Sequence, residues 1–588
     1  MLNYKYDHIP YSDIDQIKLP KFQRGFVWKP KQQKDLIQTL HDGFPFGVFL
    51  VSSIRNSQNS QLIDGQQRLS TIKKYEKNKV SFYKDLSPKN YHNTLNSINN
   101  ILKENGYNQI TINEFNKYLK MNELADWTDK YDNLNSKIKK QLRDTIKSLQ
   151  KRINNYINLN ELQIPVIEFT GKKEDLPQVF KNLNKGGIPL TRYEIFSATW
   201  SDILLNIPEN DKNCDEIIDN VKNYYESLTK NGEFKISNYS EDKLREERKI
   251  NLAEFGRALG KFVVKRIPAL ITNNDDKSID KIGFNLLAII SNVDPKIIGY
   301  VGKTKHVNNI QNNIKIILSN AKIISNKLND KFKQYLKQNI SHSSRSNSKK
   351  YPYAGGISSN AKILSYFADL WDKSEKDMNN DLNNIPSYYV YDFIANTWGS
   401  HGDQRLKRYY PYYQSNNKNN YSKPVNKNTF KSEFKNWLND DNNKKDKKNF
   451  PKYVQALITI HANVSKYTEY NGEDYEFEHV IPKNRVLKND PKLFNVHLSS
   501  LGNGMLLSKS LNDDKKDKTL YEYMEQNELN NNKIENINNL IKQSSYFKKI
   551  TLKNIMNNLQ QNNFNFVNNE INNRSIRMAN EIIDGLIK

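Results

Sequence analysis

The sequence predicts a multidomain α+β protein. Its 588 residues are enough for about three to five domains of ordinary size. Strand and helix signals alternate near the start, helical spacing dominates residues 206–400, and strand signals return in the last quarter. We therefore expect an α/β domain over residues 1–205 with a helical insertion at about 80–160. A helical connecting region over 206–400 and a third domain over 401–588, which ends in polar helices, would follow.

The composition favours contact with a polyanion. The chain has 90 Lys and Arg residues against 65 Asp and Glu residues, which gives a formal net charge of +25. The coding bias of an A/T-rich genome can supply part of the Lys excess, but the acidic residues did not rise to match it. A net charge of this size favours nucleic acid through counterion release and electrostatic steering. The 34 Tyr, 25 Phe and 6 Trp residues supply core material and exclude disorder along the full length.

The sequence favours a soluble cytoplasmic protein with no membrane partner. No run reaches the roughly 18 apolar residues of a membrane-spanning helix. The opening MLNYKYDHIP lacks the apolar segment of a secretory signal. The lone Cys214 excludes an intrachain disulfide and a Cys-rich zinc module.

The elements of the first domain follow from periodicity and turn residues. Apolar residues at helical spacing predict a helix over Lys31–His41, and Val48–Ile54 predicts a strand. A short strand at Leu62–Ile63 leads into a helix over Gln66–Lys77, and Leu162–Phe169 returns to strand character after the insertion.

Three polar stretches predict exposed loops, because their Ser, Asn and Lys residues cannot bury a core. They are His342–Lys350, Ser415–Asn428 and Asn439–Asn449. The aromatic and basic segment Arg405–Tyr413 has two interpretations. It would either line a path for DNA or form a packed hinge between domains.

The stretch QLIDGQQRLST has the parts of a nucleotide site. A buried strand delivers Asp64 to its carboxyl end, and Gly65 permits a tight turn before a helix whose N-terminus attracts anions. Arg68 offers donors for phosphate oxygens, and Gln66 and Gln67 can orient a water molecule or contact a base. From the residues alone, a capped helix with a salt-bridged Asp64 is the commoner explanation of this pattern.

Two further segments resemble a known domain when they are taken with this one. The segments are KFQRGFVWKP and VFKNLNKGGIPLT, and the order QRxxxW, IDGQQR, VFxxLNxGGxPL resembles the N-terminal domain of GmrSD-type modification-dependent restriction enzymes. The resemblance implies a ParB-like fold that binds and hydrolyses a nucleoside triphosphate. Phe26 and Trp28 would either stack a base or pack in the core. The implied nucleotide-binding residues are Gln23, Arg24, Asp64, Gly65, Gln66, Gln67, Arg68, Asn184, Gly186 and Gly187.

A second constellation lies near the C-terminal end. YEFEHVIPKNR predicts a strand ended by Pro482, and SSLGNGMLLSKSLNDDKKDKTL predicts a turn, a strand at Met505–Leu507 and a helix from about Ser510. This order resembles the ββα-metal core of HNH (His-Me finger) nucleases, in the GmrSD-type variety with EHxxP, GNxxLL and a following Asn. The resemblance implies a C-terminal ββα-metal nuclease domain with flanking helices.

The residues of this constellation suit phosphodiester hydrolysis. His479 fits a general base, and Glu478 and Asn512 offer oxygen ligands for Mg²⁺ or Mn²⁺. Asn503 would brace the loop or orient His479, which puts it with His479, Glu478 and Asn512 in the catalytic set. Glu476 shares the strand face of Glu478 and is a fallback metal ligand. For His497, which lies between the two motifs, we expect a surface or structural role. Taken alone, His479 would more often be a structural histidine.

Three lysines, Lys515, Lys516 and Lys518, follow Asn512 and predict contacts to DNA phosphates. Together the two sites imply an anti-phage DNA endonuclease that acts on modified phage or foreign DNA and is gated by a nucleoside triphosphate. A non-catalytic, nucleotide-gated DNA-binding switch and an RNA-directed toxin nuclease remain alternatives. A homo-oligomer is also left open.

Overall fold

The structure is a computed structural model of the 588-residue chain. It describes residues 4–17, 28, 30–53, 60–170, 196, 200, 203–229, 239–272, 275–344, 347–440, 448–468, 470 and 472–587. The chain forms two compact units, one from residues 1–202 and 221–248 and the other from residues 203–220 and 249–588. Both strands and helices are present and helices predominate, which agrees with the predicted α+β class. The three predicted domains stay a prediction.

The first unit contains a four-stranded sheet of order β1-β4-β2-β3. Strand β2 runs parallel to β4 and antiparallel to β3, and β1 runs antiparallel to β4. Helices α1 and α2 contribute Ile37, Leu69 and Ile72 to the core beside this sheet, because their apolar residues recur at helical spacing. The elements are β1 (Tyr4–Pro10), α1 (Pro30–His41), β2 (Phe49–Ser53), β3 (Ser60–Asp64), α2 (Gln66–Lys77) and β4 (Gln163–Phe169), with a 3₁₀ helix at Tyr11–Gln16.

Five helices lie between α2 and β4 and have a core of their own. Its largest members include Tyr91, Phe115 and Trp127, which are buried. The helices are α3 (Lys79–Leu86), α4 (Pro88–Glu104), α5 (Ile112–Tyr118), α6 (Ala125–Asp129) and α7 (Ser136–Asn154). We call this group the helical module.

The second unit is helical in its first half and mixed in its second half. Its first half contains β5 (Leu204–Asn206), β6 (Lys249–Asn251), α10 (Leu252–Val264), α11 (Asp276–Ile290), α12 (Thr304–Leu336), β7 (Lys337–Ser344), β8 (Asn347–Tyr353), α13 (Asn360–Leu370), α14 (Glu375–Ile394) and α15 (Gly402–Lys407), with a 3₁₀ segment at Pro295–Gly302. Helices α8 (Lys212–Thr229) and α9 (Glu241–Glu247) precede β6 in the chain.

The last 160 residues contain the following elements: α16 (Lys427–Asn439), α17 (Lys452–Val464), β9 (Tyr475–His479), α18 (Lys483–Asn489), β10 (Gly504–Ser508), α19 (Lys509–Lys515), α20 (Leu520–Glu525), α21 (Asn531–Gln543), α22 (Lys549–Gln560) and α23 (Phe564–Leu586). A 3₁₀ turn at Leu501–Asn503 precedes β10. The sheet of this unit has the order β10-β9-β7-β8.

Two of the predicted loops were wrong in part. Of the stretch His342–Lys350, residues 342–344 lie in β7 and residues 347–350 lie in β8, because backbone pairing stabilises strands whose side chains are polar. Within Ser415–Asn428, Tyr421 is fully buried, and its hydroxyl lies 2.6 Å from Ser365 Oγ. Most of Asn439–Asn449 lies outside the described residues.

The segment Arg405–Tyr413 is packed rather than open. Tyr410 is fully buried, and the ring of Tyr409 stacks on that of Tyr421 at a centroid distance of 4.9 Å. This packing favours the interpretation of the segment as a packed hinge over its interpretation as a path for DNA. In the part of the chain that the structure describes, no helix has the length and apolar character needed to span a bilayer.

Candidate functional site

The strand–turn–strand–helix order predicted near the C-terminal end is confirmed. Strands β9 and β10 pair antiparallel, with His479 opposite Gly504 and Glu478 opposite Met505. Helix α19 begins directly after β10, as the apolar run followed by SKSLNDD predicts. The turn before β10 needs its glycines, because a Cβ on Gly502 would lie 1.9 Å from the Ile571 carbonyl oxygen.

A cavity of about 570 Å³ opens where these elements meet. It brings together His479, Glu476, Glu478 and Asn512, which the sequence placed up to 36 residues apart. Glu478 and His479 are both within β9, and both line the cavity. The cavity therefore gathers the predicted base and all the predicted metal ligands.

His479 lies at the wall of this cavity and is 6% exposed. Its ring stacks on that of Phe450 at a centroid distance of 4.2 Å and an interplanar angle of 20°. Its Nε2 is buried and has no hydrogen-bond partner among the described residues. Burial, followed by the positive charges of Lys483 and Lys515, lowers the pKa of the imidazole to about 3. The ring is therefore neutral at pH 7, and its low pKa makes it a weak base.

The two glutamates of β9 have different partners. Asn512 Nδ2 donates to Glu476 Oε2 at 2.9 Å, so this carboxylate and the side chain of Asn512 lie together. Glu478 Oε1 accepts from Lys515 Nζ at 2.6 Å. Glu478, the first predicted metal ligand, thus pairs with a cation, whereas the fallback ligand Glu476 contacts Asn512; the metal-binding role of both stays a prediction.

Asn503 holds the loop and does not bond to the imidazole. Its Oδ1 accepts from the Ile481 amide at 2.8 Å, and its Nδ2 donates to the Leu498 carbonyl at 2.9 Å. The side chain is fully buried. Of the two roles predicted for Asn503, these bonds match the brace of the loop, and its place in the catalytic set stays a prediction.

The predicted DNA-binding lysines differ in their surroundings. Lys515 is 2% exposed, and its ammonium also donates to the carbonyls of Lys516 and Lys518. Lys515 is buried and its ammonium pairs with Glu478, so the structure gives no support to the predicted phosphate contact of Lys515. Lys516 is exposed and lines the cavity, and Lys518 is half-buried. For these two residues the phosphate contact stays a prediction.

Two residues near the site were missed by the sequence analysis. Lys483 lines the cavity at the start of α18, directly after Pro482. Its position in PKNR, directly after the Pro482 that ends the predicted strand, was the available signal. Arg574 is fully buried and donates to the carbonyls of Gly502 and Gly504 at 2.8 and 2.9 Å. No local pattern marks Arg574, because its partners lie about 70 residues away.

The N-terminal motif forms the predicted strand, turn and helix. Asp64 ends β3, Gly65 has φ +108° and α2 begins at Gln66. A Cβ on Gly65 would lie 2.3 Å from Cδ1 of Phe49, so the turn has no room for a side chain. Arg68 Nη2 donates to Asp64 Oδ2 at 3.2 Å and to the Val48 carbonyl at 3.0 Å.

This geometry matches the salt-bridged alternative for Asp64 and Arg68. Desolvation lowers the pKa of the Arg68 guanidinium while the charge of Asp64 raises it. Gln67 Oε1 accepts from the Trp28 amide at 3.1 Å, and Gln66 Oε1 is buried without a partner among the described residues. Gln66 thus keeps an acceptor free at the N-terminus of α2.

Five of the predicted nucleotide-binding residues lie outside the described residues: Gln23, Arg24, Asn184, Gly186 and Gly187. Phe26 lies outside them as well. Among the residues that the structure does describe, no group of three or more His, Cys, Asp or Glu side chains is placed to hold a metal ion.

Comparison with known proteins supports the resemblance seen in the sequence. Residues 8–201 match the family model described as "GmrSD restriction endonuclease, N-terminal domain". The chain is also 24% identical over 228 aligned residues to an uncharacterized protein of Methanocaldococcus jannaschii. That alignment covers 32% of this chain and spans 39% of the length of the relative. Residues 8–201 are therefore similar to the N-terminal domain of GmrSD restriction endonucleases.

Proposed function

We propose that this protein is a Mg²⁺-dependent DNA endonuclease of the restriction type, with its cutting site in the cavity at β9, β10 and α19. The observation that carries the proposal is the gathering of His479, Glu476 and Asn512 at one cavity. The family match of residues 8–201 supports a role in restriction. The folds proposed to underlie it are an HNH core for the cutting site and a ParB-like domain at the N-terminal end.

In this proposal His479 is the general base. Its unpartnered Nε2 accepts a proton from a water molecule, whose oxygen forms a bond to phosphorus as the opposite P–O bond breaks. An anionic phosphate in the cavity would raise the pKa of His479, because it would offset the charges of Lys483 and Lys515. Lys483 and Lys516 line the same cavity and stabilise the phosphate charge.

The cavity also has donors that fit a hard divalent cation. Glu476 and Asn512 supply a carboxylate and an amide oxygen, which are ligands that Mg²⁺ accepts while it keeps several waters. Because the two side chains are hydrogen-bonded to each other, they lie side by side on the wall of the cavity. Bound there, Mg²⁺ or Mn²⁺ would supply Lewis-acid stabilisation of the leaving oxygen.

We further propose that the N-terminal domain binds and hydrolyses a nucleoside triphosphate and gates cutting of modified DNA. Support comes from the turn at Gly65, which leads into the N-terminus of α2, where backbone N–H groups and the helix dipole favour an anion. Gln66 Oε1, which has no partner among the described residues, is an acceptor for a water molecule or a base amino group. The internal bonds of Arg68 give it a positioning role in this site rather than a direct phosphate contact.

A plasmid-nicking assay on the purified full chain tests the proposal. Supercoiled DNA, unmodified or carrying modified bases, is incubated with and without Mg²⁺ and nucleotides. We expect nicking that needs the metal, and we expect His479→Ala to abolish it while nucleotide binding persists. The matched control is His497→Ala, which changes a histidine outside the cavity.

Two results would overturn the proposal. Nicking by His479→Ala at the wild-type rate would remove the base from the mechanism. DNA binding without strand scission under every metal and nucleotide condition would favour the non-catalytic switch, and cleavage of RNA alone would favour a toxin nuclease.

A further inference from the structure

Helix α7 of the helical module has a strongly basic outer face. Its 19 residues include seven Lys and Arg residues and the single acid Asp144. Counted over residues 79–160, the sequence has 14 Lys and Arg residues and 8 Asp and Glu residues. Residues 79–160 therefore have a net charge of +6, and α7 alone also has a net charge of +6. The rest of this range is neutral overall, so the excess positive charge lies on α7.

The spacing of the cations follows the helix. Leu142, Ile146, Leu149 and Ile153 are buried and define the inner face. Four exposed lysines recur at three-, seven- and four-residue intervals, which places them on the side opposite the buried face. We call these four residues the α7 stripe: Lys137, Lys140, Lys147 and Lys151.

Two other cations of α7 already have roles in the fold. Lys139 and Arg143 lie 3.8 and 3.9 Å from Asp129 Oδ1, and Arg143 also donates to Thr128 Oγ1 at 2.8 Å. The four residues of the α7 stripe have no ion-pair or hydrogen-bond partner among the described residues. Their charges are available to a molecule outside the chain.

The stripe is unfavourable for the isolated helix. Like charges four residues apart, such as Lys147 and Lys151, destabilise a helix by about 0.2–0.5 kcal/mol a pair. Lys137 and Lys140 lie in the first turns, where the helix dipole disfavours cations. An anionic partner would relieve both effects.

Resting on the proposed function, we infer that the α7 stripe is a docking surface for the phosphate backbone of double-stranded DNA. From Lys137 to Lys151 the stripe spans roughly 21 Å at about 1.5 Å per residue, which matches the rise of about six base pairs. Flexible lysines make point-charge contacts that do not depend on base sequence. The stripe would therefore add affinity and leave the choice of cutting position to other parts of the chain.

The test measures DNA binding by the full chain apart from cutting. A labelled duplex of about 30 base pairs is titrated in EDTA between about 50 and 200 mM salt. The stripe variant carries Lys137→Gln, Lys140→Gln, Lys147→Gln and Lys151→Gln. The control variant removes the same four charges from exposed lysines of the helical module outside α7, namely Lys89→Gln, Lys103→Gln, Lys117→Gln and Lys120→Gln.

We expect the stripe variant to bind at least about tenfold more weakly at the lowest salt, with a salt slope smaller by about 3. In the control variant the salt slope should decrease by less than half of the decrease seen in the stripe variant. Asp144→Lys should tighten binding and steepen the slope, since it removes the only acid of the stripe face. A gain of affinity cannot arise from misfolding.

If the stripe variant bound duplex DNA as tightly as the wild type, the inference would be wrong, whereas the proposed nuclease activity would be unaffected. An equal loss in the control variant would also overturn it, because net charge alone would then explain the effect. A wild-type protein that binds no duplex DNA at any salt would remove the proposed function as well. A loss confined to duplex RNA would assign the stripe to a different nucleic acid and contradict the inference.

Discussion

The ammonium of Lys515 lies 2.6 Å from Glu478 Oε1, beside the cavity that contains His479. The lysine side chain is 3% exposed and the glutamate side chain is 17% exposed, so little water reaches the pair. The same ammonium donates to the carbonyls of Lys516 and Lys518. One cation therefore joins strand β9 to the turn after α19.

Lys515→Met should destabilise the second unit by about 3 kcal/mol, because it leaves a mostly buried carboxylate without its partner. The two carbonyls at Lys516 and Lys518 lose a donor as well. Hydrogen exchange of the β9 and β10 amides under native conditions measures the local change, which does not require the whole chain to unfold in one step.

The control is Lys516→Met, which removes a neighbouring charge that is exposed and should change stability by less than about 0.5 kcal/mol. The double variant Lys515→Met with Glu478→Gln should recover part of the loss, since neither charge then remains buried. Equal exchange in Lys515→Met and Lys516→Met would contradict the structural role of the pair.

Asn503→Ala should cost about 3 kcal/mol, because it leaves the buried amide of Ile481 and the carbonyl of Leu498 unpaired. Asn503→Asp keeps an acceptor for the Ile481 amide but loses the donor to Leu498. Because the carboxylate would be fully buried and would face the Leu498 carbonyl oxygen, chemical denaturation at neutral pH should show Asn503→Asp to be no more stable than Asn503→Ala.

Asn558→Ala is the control for this prediction, since both side-chain bonds of Asn558 are exposed: its Nδ2 donates to the Asn554 carbonyl and its Oδ1 accepts from Asn563 Nδ2. A loss in Asn503→Ala no larger than in Asn558→Ala would show that the brace contributes nothing to the turn.

The elements of the candidate site could be predicted because their signals are local. The alternation in YEFEH, the glycines of the turn and the stop at Pro482 lie within a few residues of the structures they specify. The role of Lys515 could not be predicted, since its burial depends on the turn at Lys516, where φ is +51°. That turn directs two carbonyls at the ammonium.

The missed features depend on distant parts of the chain. The hairpin of β7 and β8 joins the site sheet through one parallel pairing, Ile340 with Tyr475, across 135 residues. Arg574 reaches the Gly502 turn from the last helix. Because neither contact leaves a local pattern, the sequence predicts a loop where the polar hairpin forms and gives no signal for the buried arginine.

His479 should make the stability of the second unit depend on pH. Burial lowers the pKa of the folded histidine to about 3, whereas an unfolded histidine titrates near its ordinary value of 6.5. Below pH 6.5 the unfolded state binds a proton that the folded state does not bind, so stability falls with decreasing pH. The slope from this one group is at most about 1.4 kcal/mol per pH unit, and it ends near the folded pKa.

Denaturation at pH 7, 6 and 5 should therefore show a steeper decline in the wild type than in His479→Gln, which has no titrating group at this position. His461, whose pKa burial also lowers, remains in both proteins and contributes equally to them. Parallel declines in the two proteins would contradict the assigned state of His479.

Gly65→Ala should destabilise the β3–α2 turn more than Gly43→Ala, although both residues have positive φ, +108° and +71°. A Cβ at Gly43 would meet nothing within 4 Å, so that variant should lose only the strain of about 1–2 kcal/mol. A Cβ at Gly65 would in addition lie 2.3 Å from Cδ1 of the buried Phe49, which must then move. Hydrogen exchange of the amides of α2 separates the two costs, and equal losses in both variants would mean that Phe49 does not restrict the turn.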